Sequence, residues 1–347
     1  MFYKNMSSRV GLRGAMIEKA LCAVLGSLAD RQMRNVPLTI LLASVIIISS
    51  FSLPYARAAG HGRMILDVGT QWDQYLSRPS VVHVDSQFMM WYAGDSQSDG
   101  RGIENIGLAI SQDGTTWTKY VYNPVLTVGS SGTWDSDSVN DPWVIWDGTQ
   151  YQMWYTGWSG NGQRAQIGYA TSPDGTHWVK FGGNPVLPDE QWVSRPTVIT
   201  GSGQLVMYYA GRTSDTGAST VLIATSRDGI SWSKGSSRPT IPVGSWDSGH
   251  YVGSVNVVNN TFLMLYWSKT GNDNFKIGYA SSADGINWDP NPSNPIIASG
   301  SESWDKAGVA WAMMIPVKNY FYVYYVGFDD TKTNTARIGL AIMALTK

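Results

Sequence analysis

A seven-residue phrase, Ser-x-Asp-Gly-x-x-Trp, occurs four times in this chain, at Ser111 to Trp117, Ser172 to Trp178, Ser226 to Trp232 and Ser282 to Trp288. Successive copies begin 61, 54 and 56 residues apart. That period is too long for a helical solenoid unit and matches a four-stranded propeller blade with its loops. The second copy shows the full unit: Pro142-Trp-Val-Ile-Trp146, Asp147-Gly148, Tyr151-Gln-Met-Trp-Tyr-Thr-Gly157, a polar stretch, Gln166-Ile-Gly-Tyr-Ala-Thr171, then the phrase itself. Short runs rich in Val, Ile, Tyr and Trp, punctuated by Asp-Gly, read as strand, turn, strand, loop, strand, turn, strand.

Five Tyr/Trp-rich second strands are present, at Met90 to Gly94, Met153 to Gly157, Met207 to Gly211, Leu265 to Trp267 and Tyr324 to Gly327. The expected fold is therefore all-β: a five-bladed β-propeller of four-stranded antiparallel blades. The last blade runs out after Ile342, with Met343 where the others have Ser, so it lacks a fourth strand of its own. Arg63 to Gly69 stands before Trp72 as Asn123 to Gly129 stands before Trp134. This N-terminal strand is expected to complete the last blade and close the ring, leaving no open edge.

Residues 37–53 are an apolar run preceded by Arg31 and Arg34 and followed by Ala56-Arg-Ala58, a small-x-small cleavage pattern. Residues 1–58 are read as leader and signal peptide, with Met33 an alternative start, and 59–347 as the propeller domain. The expected location is secreted or extracytoplasmic; the alternative is a membrane anchor through residues 37–53, long enough to span a bilayer of ~30 Å. Cleavage after Ala58 removes Cys22, the only cysteine, and with it disulfide or thiolate chemistry. It also removes seven Lys/Arg and two Asp/Glu, leaving 18 basic against 24 acidic residues, so nucleic acid is not an expected partner. A monomer is expected.

The uniform Ser-x-Asp-Gly-x-x-Trp turns read as structural: Ser and Asp can accept turn amides, Gly supplies backbone freedom, and Trp covers the blade edge. The Trp-Asp pairs at Trp72, Trp134, Trp246 and Trp304 recur at equivalent places and read the same way. Function is sought on the opposite face, among the variable loops, and at the starts of the channel-lining first strands. Aligned, these starts are Arg78-Pro79, Asp141-Pro142, Arg195-Pro196, Gly253-Ser254 and Ala310-Trp311. Proline suits the first strand position and is expected to hold its predecessor extended. Three adjacent blades thus aim Arg, Asp and Arg at one channel mouth, where an Asp between two Arg is a poor proton donor and a better base or ligand anchor.

At these residues the chain resembles a known group. Ile167 to Trp178, Asn184-Pro-Val-Leu187 and Asp141-Pro142 with Met153 to Gly157 are similar to the five-bladed propeller glycosidases of the arabinanase, levansucrase and invertase superfamily, chiefly glycoside hydrolase families 43 and 32, with 68 and 130 as relatives. The resemblance covers about residues 62–342. It implies a glutamic acid as general acid, aspartates as base, nucleophile or modulator, no required cofactor, and room for a channel calcium ion. Asn140-Asp141-Pro142 is similar to the aspartate motif. Ser77-Arg78-Pro79 and Ser194-Arg195-Pro196 depart from it, and no Glu stands at a first-strand start.

Glu104, Glu190 and Glu302 are the glutamates after the leader. Glu190, entering the blade next to Asp141, is the first candidate for proton donor, with Glu302 and then Glu104 behind it. The catalytic candidates are accordingly Asp141, Glu190 and Glu302. Arg78, Arg195, His250, Trp143, Trp158 and Trp311 are candidates for substrate binding, the arginines for an anionic or hydroxyl-rich group and the tryptophans for sugar rings. The leading expectation is a secreted glycoside hydrolase acting on poly- or oligosaccharides at the channel mouth. The alternatives are a non-catalytic carbohydrate-binding propeller that has lost the acid, a phosphorylase, and a surface adhesion protein.

Overall fold

The computed structural model describes residues 62–160, 164–187, 192–201, 203–211, 220–247, 249–269, 274–302, 304–329 and 335–344. The leader, Cys22, the apolar segment 37–53 and Glu190 lie outside the described residues. Among the described residues twenty strands form five four-stranded antiparallel sheets, with no helix. After β1 (Arg63–Leu66), blade one is β2 (Tyr75–Val84), β3 (Gln87–Asp95), β4 (Glu104–Ser111) and β5 (Thr118–Lys119). Blade two is β6 (Ser138–Trp146), β7 (Tyr151–Ser159), β8 (Arg164–Ser172) and β9 (Val179–Lys180). Blade three is β10 (Val193–Gly201), β11 (Gln204–Gly211), β12 (Thr220–Ser226) and β13 (Ser233–Lys234). Blade four is β14 (Tyr251–Val258), β15 (Thr261–Ser268), β16 (Lys276–Ser282) and β17 (Asp289–Pro290). Blade five is β18 (Gly308–Val317), β19 (Tyr320–Phe328) and β20 (Ala336–Ala344), completed by β1.

The first strands contact one another in the cyclic order β2, β6, β10, β14, β18 and back to β2, which makes the blades a ring. Closure is as expected from the sequence: β1 pairs with β20, Arg63 opposite Leu340 and Leu66 opposite Ile338. Leu126, Leu187 and Ile297 bridge the third strands of blades one, two and four at the matching place. The Asn-Pro phrases explain those bridges. Asn123, Asn184 and Asn294 each accept the amide and donate to the carbonyl of one residue, Leu108, Tyr169 and Tyr279 respectively, so an amide side chain continues the ladder beside the strand.

Second strands are sandwiched between neighbouring blades and lose the alternation of a half-exposed strand. Phe88 to Asp95 of β3 are all buried, as the continuous apolar run of a two-sided strand requires. The repeated turns have the structural role their uniformity implies. In each, the Gly amide donates to the Ser hydroxyl, two amides donate to one Asp oxygen, and the Trp indole donates to the Gly carbonyl, as in Ser172 to Trp178 at 2.8, 2.8, 2.9 and 3.0 Å. The same Gly carbonyl also accepts from the second strand of the preceding blade: Trp91 to Gly175, Trp154 to Gly229, Tyr208 to Gly285 and Tyr324 to Gly114, at 2.8–3.0 Å. Blade four has Leu265 at this position, and blade five has no such turn to receive a bond. His177, in one of these turns, is exposed and bonds Asp174.

The Trp-Asp pairs clamp the blade tops. Trp134 packs on Tyr155 at 5.6 Å and covers Gly168, where a Cβ would come within 2.5 Å of the indole. Asp135 is paired with Lys180 at 2.6 Å, as Asp73 is with Lys119.

Candidate functional site

Every first strand carries one residue more than its partner at the same level: between Ser77 and Ser80, Asn140 and Trp143, Ser194 and Thr197, Val252 and Ser254, and Ala310 and Met313. Such a β-bulge bends the strand and re-aims a side chain. Equivalent residues across the blades are therefore Arg78, Asp141, Arg195, Val252 and Trp311. The alignment drawn from sequence is one residue off in blades four and five, because neither has the proline that marks the bulge elsewhere. Pro79, Pro142 and Pro196 sit inside the strands, three or more residues past their starts, where the bulge asks no ladder bond of them.

Their predecessors are not extended, as the sequence led us to expect, but left-handed: φ is +53° at Arg78, +48° at Asp141 and +56° at Arg195, and Trp311, which precedes Ala312, shares the conformation at +47°. Each such non-glycine conformation costs on the order of 1–3 kcal/mol and persists where the surroundings over-determine it. In blade four the chain passes close to its neighbour at Gly253, where a Cβ would stand 2.2 Å from the Ala312 carbonyl oxygen. All five bulge residues line one cleft at the ring's centre, together with Trp143.

The cleft is organised by Arg78. Its Nη1 lies 2.5 Å from Glu104 Oε1 and its Nε 2.6 Å from Asp141 Oδ1, the second contact an ion pair without an aligned hydrogen bond. Burial opposes the charged guanidinium, yet the Glu104 and Asp141 carboxylates outweigh it and hold the Arg78 pKa above its ordinary value. The guanidinium also lies over the Trp311 ring, 4.8 Å from its centroid. Glu104 opens β4 in the same blade, directly opposite Asp95. Its second oxygen accepts from Asn140 Nδ2, and Trp158 Nε1 donates to Asn140 Oδ1 at 3.1 Å. Asp141 Oδ2 accepts from the Thr156 hydroxyl at 2.8 Å, and that hydroxyl accepts the Arg195 amide at 3.0 Å.

Arg195 has different company. Its guanidinium carbon lies 5.5, 5.4 and 5.7 Å from the ring centroids of Trp192, Tyr251 and Trp267. Burial, with Arg78 adding to it and Asp141 opposing, lowers its pKa. Beneath the 96–103 loop, burial pushes Asp95 up to about 6, although its Oδ1 accepts the Gln97 and Gly102 amides at 2.7 and 2.9 Å.

Of the residues singled out from sequence, Arg78, Asp141, Arg195, Trp143 and Trp311 converge on the cleft. Trp143 is also tied into the ring wall, its indole donating to the Val198 carbonyl at 2.7 Å. Trp158 stands behind the cleft, holding Asn140 and meeting Trp192 at 6.0 Å. His250 belongs elsewhere: it bonds Asp247 at 3.0 Å and packs edge-on against Tyr266, taking in blade four the part that Lys119 and Lys180 play for their Asp partners. Glu302 is exposed in the loop between β17 and β18, and among the described residues it makes no ion pair with the cleft. Glu104, ranked last of the three glutamates, is the one bonded to Arg78. Sequence reasoning placed Glu104 in a loop, whereas it opens β4 and meets Arg78 through hairpin register, two strands away from the bulge that holds Arg78.

The donor set does not fit a channel calcium ion. The described residues present no cluster of three or more His, Cys, Asp or Glu side chains for a metal. The carboxylates at the mouth are already bonded to Arg78, Asn140 and Thr156.

Residues 70–183 match the family model of the glycosyl hydrolases family 32 N-terminal domain. A Mycobacterium tuberculosis protein described as uncharacterized is 32% identical over 181 residues, 49% of this chain and 58% of that protein. The chain thus spans a little over half the length of that relative. Among solved structures, one described as a glycoside hydrolase superposes with a TM-score of 0.68 at 19% identity, covering 82% of this chain and 92% of the other. Another superposes at 0.65 and 16% identity over 85% and 95%; it comes from the family 130 mannoside phosphorylases, said to contain glycoside hydrolases that target β-1,2 mannosidic linkages in Candida mannan. The chain therefore has the fold of the five-bladed β-propeller glycosidases, with a segment over residues 70–183 that matches the family 32 N-terminal domain.

Proposed function

We propose that the protein is a secreted glycoside hydrolase-like propeller that binds poly- or oligosaccharides at the channel mouth, with Asp141 the carboxylate that serves the glycosidic bond. The observation that carries this reading is the convergence of Asp141 and Glu104 on one guanidinium inside an aromatic-walled cleft. Oxygens held by two nitrogens of one guanidinium lie no more than about 7 Å apart, a ceiling compatible with the ~5–5.5 Å carboxyl separation of retaining hydrolysis. An ion-paired carboxylate suits a base, nucleophile or electrostatic partner. The proton donor is then a different group, and Glu190, two residues before the cage residue Trp192, remains the candidate. Secretion is supported by the apolar segment 37–53 and the Ala56-Arg-Ala58 pattern.

A second reading, a carbohydrate-binding propeller without turnover, is favoured by one specific observation: Arg78 binds both carboxylates of the cleft, leaving no proton donor among the described residues there. One experiment separates them. The purified domain and its Asp141→Asn and Glu190→Gln variants are incubated with aryl glycosides and polysaccharides, with released sugar and binding measured in parallel. Turnover lost in both variants supports the hydrolase, binding without turnover supports the binder, and neither turnover nor binding refutes both.

A further inference from the structure

Among the described residues, four buried polar atoms around the cleft have neither a hydrogen-bond partner nor an ion pair: Arg195 Nε, Trp267 Nε1, Trp311 Nε1 and the Ser194 hydroxyl; Arg78 Nε also lacks an aligned hydrogen bond but faces Asp141. Three of the four can only donate. They are contiguous, since Trp267 meets both Trp311, at 5.7 Å, and the Arg195 guanidinium, at 5.7 Å, and Ser194 adjoins Arg195 in the chain. Buried donors are rarely left unmade, and a cluster of them points to a ligand rich in acceptors. Arg78 spends its charge on two carboxylates, whereas Arg195 is walled by rings and, among the described residues, has no ion pair.

We infer that this side of the cleft, between blades three, four and five, receives an oxyanion carried by the saccharide, so that the substrate class is acidic sugars such as uronates. The inference rests on the carbohydrate reading above. Arg195 offers the planar fork that a carboxylate fits, and Trp311 Nε1 a second donor at the cleft wall. Two arginines and two carboxylates balance in formal charge, so Glu104 and Asp141 oppose a bound anion at longer range and the preference is moderate.

The test is binding of a galacturonate trisaccharide, a neutral galactose trisaccharide and inorganic phosphate, followed by tryptophan fluorescence and calorimetry at two salt concentrations. The acidic trisaccharide is expected to bind roughly tenfold tighter than the neutral one, with the ratio shrinking at high salt. Arg195→Gln is expected to bring the ratio to about one, Arg195→Lys to leave part of it, and Trp311→Phe to reduce it; circular dichroism and thermal melting establish that each variant is folded. Equal binding of both sugars by the parent, or a preference that survives Arg195→Gln, overturns the inference while leaving the carbohydrate reading intact. Binding of phosphate with neither sugar bound overturns both. Should Arg195→Gln not fold, the parent ratio and Trp311→Phe decide.

Discussion

Replacing Arg78 by Met tests whether this one side chain neutralises the mouth of the channel. The Glu104 and Asp141 side chains are only 13% and 6% exposed, and both bear on the same guanidinium. Removing one partner of a buried ion pair costs ~3–5 kcal/mol, because the charge left behind is uncompensated. Here two carboxylates are left, so the expected loss lies near the top of that range, about 5 kcal/mol, against total stabilities of about 5–15 kcal/mol for ordinary domains. Met is the informative substitute. It retains much of the length that covers Trp311, and being non-glycine it keeps the cost of the left-handed backbone at φ +53°, which Gly would relieve. The triple variant Arg78→Met, Glu104→Gln, Asp141→Asn removes the orphaned charges and is expected to recover at least half the loss. Urea unfolding at neutral pH measures this as a shift in midpoint at constant slope. The reasoning is refuted if Arg78→Met costs less than about 1 kcal/mol, or if the triple variant is no more stable than the single one.

Asp95 has a pKa of about 6 when folded against 3.8 ordinarily, so its stability contribution is full below the lower value and falls as pH rises through the higher, by on the order of 2–3 kcal/mol. Asp95→Asn keeps the acceptor for the Gln97 and Gly102 amides and is expected to flatten the dependence of melting temperature on pH between those two values; an unchanged slope counts against it. Tyr324→Phe deletes the hydroxyl that bonds the Gly114 carbonyl across the blade five to blade one seam. The Gly114 carbonyl keeps the Trp117 indole as a donor, so the expected cost is that of one hydrogen bond, ~0.5–1.5 kcal/mol, and a urea midpoint equal to that of the parent shows that the bond adds nothing.

The fold was legible because its determinants are local and repeated. Ser172 to Trp178 closes on itself through its own hydrogen bonds, so the same seven residues declare the same turn wherever they stand. The bulge was half legible. Proline marks it in three blades, but Val252 and Trp311 carry no such mark and are located only by the pairing of Ser254 with Leu265 and of Met313 with Tyr324. The backbone at Arg78, Asp141 and Arg195 was misread for a related reason: a residue before proline prefers an extended conformation locally, and the tertiary demand of the channel overrides that preference. Glu104 was undervalued because its contact with Arg78 spans 26 residues and depends on register across two strands. His250 misled in the opposite direction, since an irregular loop near a functional face looks like a site, whereas its bond to Asp247 is a variation on a structural clamp.

The bulge separates two kinds of inheritance. Arg78, Asp141, Arg195 and Trp311 stand outside the paired register of their strands, so the backbone ladder of a blade is indifferent to which side chains they carry. A ring grown by copying one unit can therefore keep its architecture while each copy revises a single letter at the centre: here arginine, aspartate, arginine, valine, tryptophan. Blade four holds the one aliphatic letter. Related rings would then be expected to diverge in what they bind by rewriting this five-letter word, with little change in the sentences around it.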